Sequence, residues 1–169
     1  MDLNQASLPY LDHLTLDDES KVYIPAEDTF LLCDALSLDR STFLNLQPKV
    51  VIEIGSGSGC VITYIHQLFD QIGISASYFA TDINPDAVAL TRRTAEYNGV
   101  EVECVQTSFC DALVDKLASR VDVLIFNPPY VPTDSEEVQG NGIEAAWAGG
   151  IDGREVIDKF IGKIDVSNL

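Results

Sequence analysis

The sequence is short of positive charge. It has 10 lysines and arginines against 27 aspartates and glutamates, which gives a formal net charge of −17. A free-standing nucleic-acid binder needs a basic face that displaces counterions from phosphates, so this composition disfavours that class of protein. An acidic surface is compatible with a basic protein partner or substrate, although solubility alone also explains most of these carboxylates.

Signals for metals, membranes and secretion are missing as well. There are only two histidines, and the four cysteines (Cys33, Cys60, Cys104 and Cys110) show no metal-ligand spacing, so we predict no metal site and mostly buried, reduced thiols. No apolar run approaches the roughly 18 residues that span a bilayer. The N-terminus does not have the pattern of a secretory signal. We therefore expect an intracellular protein.

The length of 169 residues suits one domain with a full hydrophobic core. Residues 1–20 are mixed and acidic, and we expect them to form a loosely ordered arm. The domain itself should then occupy residues 21–169. A polar, glycine-bearing stretch over 132–153 is expected to be a long loop, and a loop of this length inside a domain is usually functional.

Short β-rich runs alternate with segments of helical periodicity. The predicted strands are 49–54, 77–81, 100–106 and 121–126, and the predicted helices are 25–36, 60–69, 84–97 and 154–163. This alternation indicates an α/β fold with a doubly wound, mostly parallel sheet. Ligands of such sheets bind outside the carboxyl ends of the strands, which directs attention to the residues that follow each strand.

A glycine-rich turn follows the first predicted strand. Glycine stands at Gly55, Gly57 and Gly59, whereas a dinucleotide fingerprint needs glycine at the sixth position, where this chain has Cys60. The turn lets the backbone approach a ligand closely. It therefore fits a nucleoside without a pyrophosphate better than a nicotinamide dinucleotide.

Two acidic residues accompany the turn. Asp82 ends the second strand, where a carboxylate can accept both hydroxyls of a ribose, or it starts the turn before Asn84-Pro85. Glu53 lies at the end of the first strand, where an acid is costly unless it is paired. It either meets the positive end of a ligand or serves as a salt bridge or helix cap.

The fourth predicted strand, 121–126, ends in Asn127-Pro128-Pro129-Tyr130. The Asn127 side-chain carbonyl and the Pro128 backbone carbonyl can accept both hydrogens of an NH₂ group, and Tyr130 can stack on a flat target. Two prolines in succession restrict the backbone that holds these acceptors. The arrangement suits methyl transfer to a delocalised nitrogen, and the alternative is an ordinary proline turn.

Together these stretches resemble the HemK-like protein N5-glutamine methyltransferases, specifically the eukaryotic and archaeal type that modifies translation release factors. The resemblance runs from about residue 21 to residue 160. The matching motifs are Pro25-Ala26-Glu27-Asp28-Thr29-Phe30, the Glu53–Gly59 turn, Thr81-Asp82-Ile83-Asn84-Pro85, Phe126-Asn127-Pro128-Pro129-Tyr130-Val131, and Gly142-Ile143-Glu144-Ala145-Ala146-Trp147-Ala148-Gly149-Gly150 with Gly153-Arg154-Glu155. The Asn-Pro-Pro-Tyr turn alone also occurs in adenine DNA methyltransferases.

The resemblance implies a Rossmann-like class I methyltransferase that uses S-adenosylmethionine (SAM). The implied cofactor contacts are Asp28, Thr29, Glu53, Gly55, Gly57, Asp82, Asp111, Ala112 and Asn127. The implied catalytic residues are Asn127, Pro128 and Tyr130, and substrate would meet Asn127, Pro129 and Tyr130. The implied substrate is the glutamine of a Gly-Gly-Gln loop in a release factor, with histone lysine as a second one.

The resemblance also implies a heterodimer with a small zinc-binding activator subunit, and a cytoplasmic or nuclear location. The family has a seven-stranded sheet, but only four strands can be counted here, so we expect a sheet that is shortened at its C-terminal side. The strand before Asn127 would then be an unpaired edge. Three alternatives stay open: a DNA adenine methyltransferase, an inactive form that only binds the activator, and a nicotinamide oxidoreductase.

Overall fold

A four-stranded parallel sheet organises the structure. The computed structural model describes residues 6–140 and 142–163. The strands are β1 (Val50–Ile54), β2 (Ser77–Asp82), β3 (Glu103–Gln106) and β4 (Val123–Phe126), in the order β3-β2-β1-β4. All four predicted strands are confirmed, and the doubly wound order places a switch point between β1 and β4.

Seven α-helices connect and flank the strands in the described ranges. They are α1 (Leu16–Glu19), α2 (Glu27–Leu38), α3 (Arg40–Leu46), α4 (Cys60–Ile72), α5 (Pro85–Tyr97), α6 (Val114–Leu117) and α7 (Glu155–Lys163). The longer helices α2, α4, α5 and α7 were predicted from the sequence, whereas α1, α3 and α6 were not. These three are short, and helices of one or two turns carry little periodicity.

Local chemistry explains where α4 and α5 begin. Asn84 caps α5, because its side-chain oxygen accepts the Asp86 N–H at 2.9 Å, and Pro85 stands at the first helical position. Gly59 precedes α4 with φ 78°, and a Cβ there would lie 2.7 Å from the Cα of Thr91 on α5. Only glycine allows the two helices to approach this closely.

The sheet is covered on both faces. On one face α4 packs on β1 and β2, α2 packs against α4, and Ile65, Leu68 and Phe69 of α4 are completely buried. On the other face Leu113 and Leu117 pack against Ile52 and other residues of the strands. Burial of each large side chain is worth about 1.5–3 kcal/mol, so these two layers fix the sheet that carries the candidate site.

The N-terminal arm is not loosely ordered in its described part, residues 6–20. Tyr10 and Asn98 exchange two hydrogen bonds, at 2.7 and 2.9 Å, and Arg93 pairs with Asp18 at 2.6 Å. The arm therefore lies along α5. The expectation was wrong because its polar residues are used in specific pairs, which composition does not reveal.

The stretch 132–153 was expected to be a long loop, and the structure gives it more order. Strand β5 (Val131–Pro132) pairs in parallel with β6 (Ala148–Gly150), and three 3₁₀ helices surround them: Glu137–Gln139, Ile143–Ala146 and Ile151–Gly153. Strands of two or three residues are too short to show an alternating pattern. The stretch is thus a small folded lobe beside the main sheet.

Strand β4 forms one edge of the main sheet within the described ranges, as expected, since its only partner there is β1. Helix α7 packs beside it, with the Phe126 and Phe160 ring centroids 4.7 Å apart. Residues 164–169 of the predicted domain lie outside the described residues. None of the helices in the described ranges has the length and apolar character needed to cross a bilayer.

Candidate active site

A cavity of about 290 Å³ opens at the carboxyl ends of the parallel strands, beside the switch point. Its volume is at the lower end of the roughly 300–1,000 Å³ that ligand pockets occupy. The predicted site residues that line it are Asp28, Thr29, Glu53, Gly55, Gly57, Asp82, Asn127, Pro128, Pro129 and Tyr130. The fold therefore brings together segments that are up to a hundred residues apart in sequence.

The glycine turn is fixed to the end of β2. The backbone N–H groups of Gly55 and Ser56 both donate to the Thr81 carbonyl, at 2.8 and 3.0 Å. The Gly57 N–H donates to the Asp82 carboxylate at 2.9 Å. Because these bonds are made by backbone already in place, this wall of the cavity is preorganised before any ligand binds.

Asp82 has the turn role that the sequence left open, and it lies where the predicted ribose contact would be made. One carboxylate oxygen accepts the Gly57 N–H, and the other accepts the Asn84 N–H at 2.9 Å, so the residue does start the turn. It also lines the cavity, and each oxygen keeps a lone pair for a hydroxyl. Burial raises the pKa of Asp82, and the backbone hydrogen bonds partly oppose this.

Glu53 is an acid inside the core, with 4% of its surface exposed. Its carboxylate accepts the Ile62 N–H in the first turn of α4 at 2.9 Å, so the predicted cap is present. Burial is the main reason that the pKa of Glu53 lies well above its ordinary value, and the nearby Cys60 and Asp82 add to it. A positive group in the cavity would favour its ionised form.

The Asn127 side chain is oriented by α2. Its Nδ2 donates to the Asp28 carboxylate at 2.8 Å, and the Tyr23 hydroxyl donates to the other Asp28 oxygen at 3.3 Å. A carboxylate only accepts hydrogen bonds, so Asn127 must present its NH₂ to Asp28. Its carbonyl oxygen is then left as an acceptor that no described residue uses.

The other residues of the turn form the cavity mouth. Pro128, Pro129 and Tyr130 line it, and Tyr130 is 55% exposed. The opposite rim comes from the small lobe and includes Val138, Gly140, Ala145, Ala146 and Ala148. Sequence reasoning did not assign this rim to the site, although its run of small residues gave a hint.

Asp111 and Ala112 were predicted as cofactor contacts, but the structure does not place them on the cavity wall. The Asp111 carboxylate pairs with Lys163 at 2.5 Å, and the Ala112 N–H donates to the Thr107 hydroxyl at 3.2 Å. The wall is formed by 107–109 instead. Strand β3 ends at Gln106, so only the residues directly after it reach the sheet edge.

Phe109 was missed for the same reason. It adopts φ 49°, and its ring meets the Phe126 ring edge-on at 6.1 Å between centroids. A positive φ at a bulky residue is uncommon and marks a sharply bent segment. The sequence did contain a signal for this part of the cavity wall. Thr107-Ser108-Phe109 directly follows the third strand, whereas Asp111 lies farther along the chain.

Comparison with known proteins first identifies the family to which the chain belongs. The profile of the methyltransferase small domain family matches residues 30–146, so the chain belongs to that family. It is 47% identical over 152 residues to human "Methyltransferase HEMK2", covering 90% of this chain and 69% of the relative.

Two further relatives indicate which kind of methyltransferase this is. The chain is 37% identical to "eRF1 methyltransferase catalytic subunit mtq2" of Schizosaccharomyces pombe, over 94% of this chain and 72% of the relative. It is 33% identical to "Release factor glutamine methyltransferase" of Geobacter sulfurreducens, over 78% of this chain and 44% of the relative. The chain is a HemK-like N5-glutamine methyltransferase of the eukaryotic and archaeal type, with a class I fold and SAM as its cofactor.

The cavity fits SAM on its own chemistry. Glu53 and Asp82 are buried acids whose pKa values are raised, and a cationic ligand would relieve the cost of ionising them. Asp82 has lone pairs for ribose hydroxyls, and the wall at 107–109 offers an aromatic surface to a base. SAM supplies an electrophilic methyl group when bound. Within the described residues no cluster of side chains suits a metal ion.

Proposed function

We propose that this enzyme methylates the side-chain amide nitrogen of the glutamine in a Gly-Gly-Gln motif of a translation release factor. One observation carries the proposal. Asn127 lines the cavity and turns its NH₂ toward Asp28 at 2.8 Å, which leaves its carbonyl oxygen without a hydrogen-bond partner among the described residues. An amide substrate presents two N–H donors, and this oxygen is matched to one of them.

The chemistry explains why such an acceptor is needed. The lone pair of an amide nitrogen is delocalised, so the enzyme must twist it out of conjugation and aim it at the methyl group. The Asn127 oxygen and the Pro128 backbone carbonyl can hold the two hydrogens of the NH₂ group. Alignment and preorganised electrostatics then supply the rate enhancement. The exposed Tyr130 ring can stack on the flat amide.

The names of the relatives support this choice of substrate. The Schizosaccharomyces pombe protein is named for eRF1, and the Geobacter sulfurreducens protein for a release-factor glutamine. The former is also named a catalytic subunit, which supports a heterodimer with a small activator subunit. We extend the proposal to that zinc-binding partner and to a cytoplasmic location, with a nuclear fraction if histone lysine is also methylated.

Charge weighs against a nucleic-acid substrate. The Asn-Pro-Pro-Tyr turn would serve adenine methylation equally well, but the net charge of −17 leaves no basic stripe in the sequence to follow a phosphate backbone. Binding to duplex DNA at physiological salt would reverse this ranking.

The test is transfer of labelled methyl from SAM to a release factor that contains Gly-Gly-Gln, with the chain co-expressed with the activator subunit. Matched substrates carry asparagine or lysine in place of the glutamine. Label on the glutamine protein and on neither substituted protein supports the proposal, and label on a histone in a parallel assay would add the second substrate. No label, from a soluble complex that binds SAM, would refute catalysis and favour an inactive form that only binds the activator.

A further inference from the structure

The contact between Asp28 and Asn127 joins two motifs that are 99 positions apart. Asp28 lies in the first turn of α2, and Asn127 follows β4. The resemblance implied that Asp28 contacts the cofactor. In the structure both Asp28 oxygens already accept hydrogen bonds, one from Asn127 at 2.8 Å and one from Tyr23 at 3.3 Å.

We propose that Asp28 is a positioning residue, which holds the Asn127 amide in the one orientation that points its oxygen at the substrate nitrogen. This inference rests on the proposed function, because it assigns a task to the Asn127 oxygen. A free asparagine amide can rotate by half a turn about its last bond at little cost, since both orientations are sterically alike. In the wrong orientation it would direct N–H donors at the substrate NH₂ group.

A carboxylate is the side chain best suited to prevent that rotation. It has no donor, so it cannot accept the flipped amide without two acceptors facing each other. Its charge also makes the hydrogen bond stronger than a neutral one. An asparagine or glutamine at this position could pair with either orientation of Asn127, so it would not favour one orientation over the other.

The carboxylate is itself held in place. Asp28 is half-buried and stands at the positive end of α2, where a negative charge is stabilised by the helix dipole. The Tyr23 hydroxyl donates to its second oxygen. The start of the helix is tied down because the Ala26 N–H donates to the Thr29 hydroxyl at 3.3 Å. The geometry is therefore set before substrate binds.

The direct readout is the side-chain amide of Asn127 in protein labelled with ¹⁵N-asparagine, assigned by its loss in Asn127→Ala. One of its two protons should be shifted downfield and exchange slowly with water in the unmodified chain. Asp28→Ala should remove both effects. Glu27→Gln is the matched control, because Glu27 is a neighbouring exposed acid in the same helical turn. Signals that are unchanged in Asp28→Ala would overturn the inference.

The kinetic readout separates positioning from cofactor binding. With the activator complex and a release-factor substrate, Asp28→Ala should lower kcat about 100-fold, on the scale of losing one preorganised hydrogen-bonding group. The dissociation constant for SAM should stay within about threefold of the original. Asp28→Asn should recover part of kcat, because its oxygen can still accept from Asn127 in one of its orientations. A loss of SAM affinity with an unchanged kcat would show a cofactor ligand instead.

The two proposals fail in different ways. If the unmodified complex transfers no methyl to any glutamine substrate, the proposed function fails, while the Asn127 amide signal still decides the role of Asp28. If transfer occurs and Asp28→Ala changes neither kcat nor the amide signal, the proposed function stands and the positioning role is refuted.

Discussion

The two sides of the cavity are built in different ways. The cofactor side, at the ends of β1 and β2, is part of the core: Glu53, Ser56, Ser58 and Thr81 are all buried. The substrate side is at the surface, where Tyr130 is 55% exposed. The first is fixed by backbone hydrogen bonds, and the second by a few side-chain contacts and close-packed glycines.

This difference follows from what each side has to recognise. The same small cofactor enters at every turnover, so this wall does not have to adapt to different ligands. A preformed and rigid wall also reduces the conformational freedom that is lost on binding. A protein substrate must insert a side chain from outside, so its half of the site needs an open mouth. Mutations on the cofactor side should therefore change SAM affinity, and those on the substrate side should change the rate.

The largest effect is expected on the substrate side. Asn127→Ala removes the side-chain acceptor and should lower methyl transfer by at least about 100-fold, while SAM binding changes only a few fold. The measurements are labelled-methyl transfer and calorimetric titration with SAM. If the variant keeps full activity, Asn127 is not the acceptor that the site depends on.

The second-largest effect is expected on the cofactor side of the cavity. Asp82→Ala removes an acceptor of charge-assisted hydrogen bonds worth roughly 2–3 kcal/mol, which corresponds to a 30- to 150-fold weaker dissociation constant for SAM. The rate at saturating SAM should fall much less. Asp86→Ala on the exposed start of α5 is the control. An unchanged SAM affinity in Asp82→Ala would contradict the division between the two sides.

The cofactor side was also the more predictable one from sequence. Its glycines directly follow β1 and Asp82 is the last residue of β2, and strand ends can be found from local patterns. Asp28 was found only through the resemblance, and its contact with Asn127 could not be found from spacing, because it depends on how α2 packs across the sheet. A long-range contact of this kind produces no periodic pattern in the sequence.

Two further differences between expectation and structure have a similar cause. Asp111 was predicted as a cofactor contact through the resemblance; in the structure its carboxylate pairs with Lys163 of α7, while the residues directly after β3 line the cavity. The small lobe was read as a loop because its strands are two and three residues long. The first difference depends on which residues after β3 reach the edge of the sheet, and the second on strands that are too short to show an alternating pattern.

Gly153 offers a subtler way to disturb the substrate side. It has φ 69°, and a Cβ there would overlap the Tyr130 carbonyl oxygen. Gly99 has the same φ of 69° but nothing within 4 Å of its Cβ position, so Gly99→Ala measures the backbone strain alone. Gly153→Ala should be about 1–3 kcal/mol less stable than that control, because it also adds crowding in a packed region.

Thermal unfolding and methyl transfer together measure this effect. Gly153→Ala should displace the Tyr130 backbone and lower kcat about tenfold, with SAM affinity kept, whereas Gly99→Ala should leave kcat unchanged. Equal stabilities for the two variants, with equal rates, would mean that the small lobe adapts freely and does not hold the turn in place.

The smallest expected effect is a pH dependence on the cofactor side. Burial holds the pKa of Glu53 well above its ordinary value, so protonation favours the folded protein without ligand. That stabilisation is present at low pH and is lost as the pH rises through the raised pKa of Glu53. SAM is cationic and favours the carboxylate, so its affinity should increase over the same pH range.

Thermal shift with and without SAM across this range measures the coupling. The stabilisation by SAM should grow with pH by a few fold in apparent affinity, and Glu53→Gln should flatten the curve while its oxygen still accepts the Ile62 N–H. The pKa of Asp82 is also raised, so a weaker slope should remain in the variant. A curve that Glu53→Gln leaves unaltered would show that Glu53 only caps α4, and that the positive end of SAM is held by other groups.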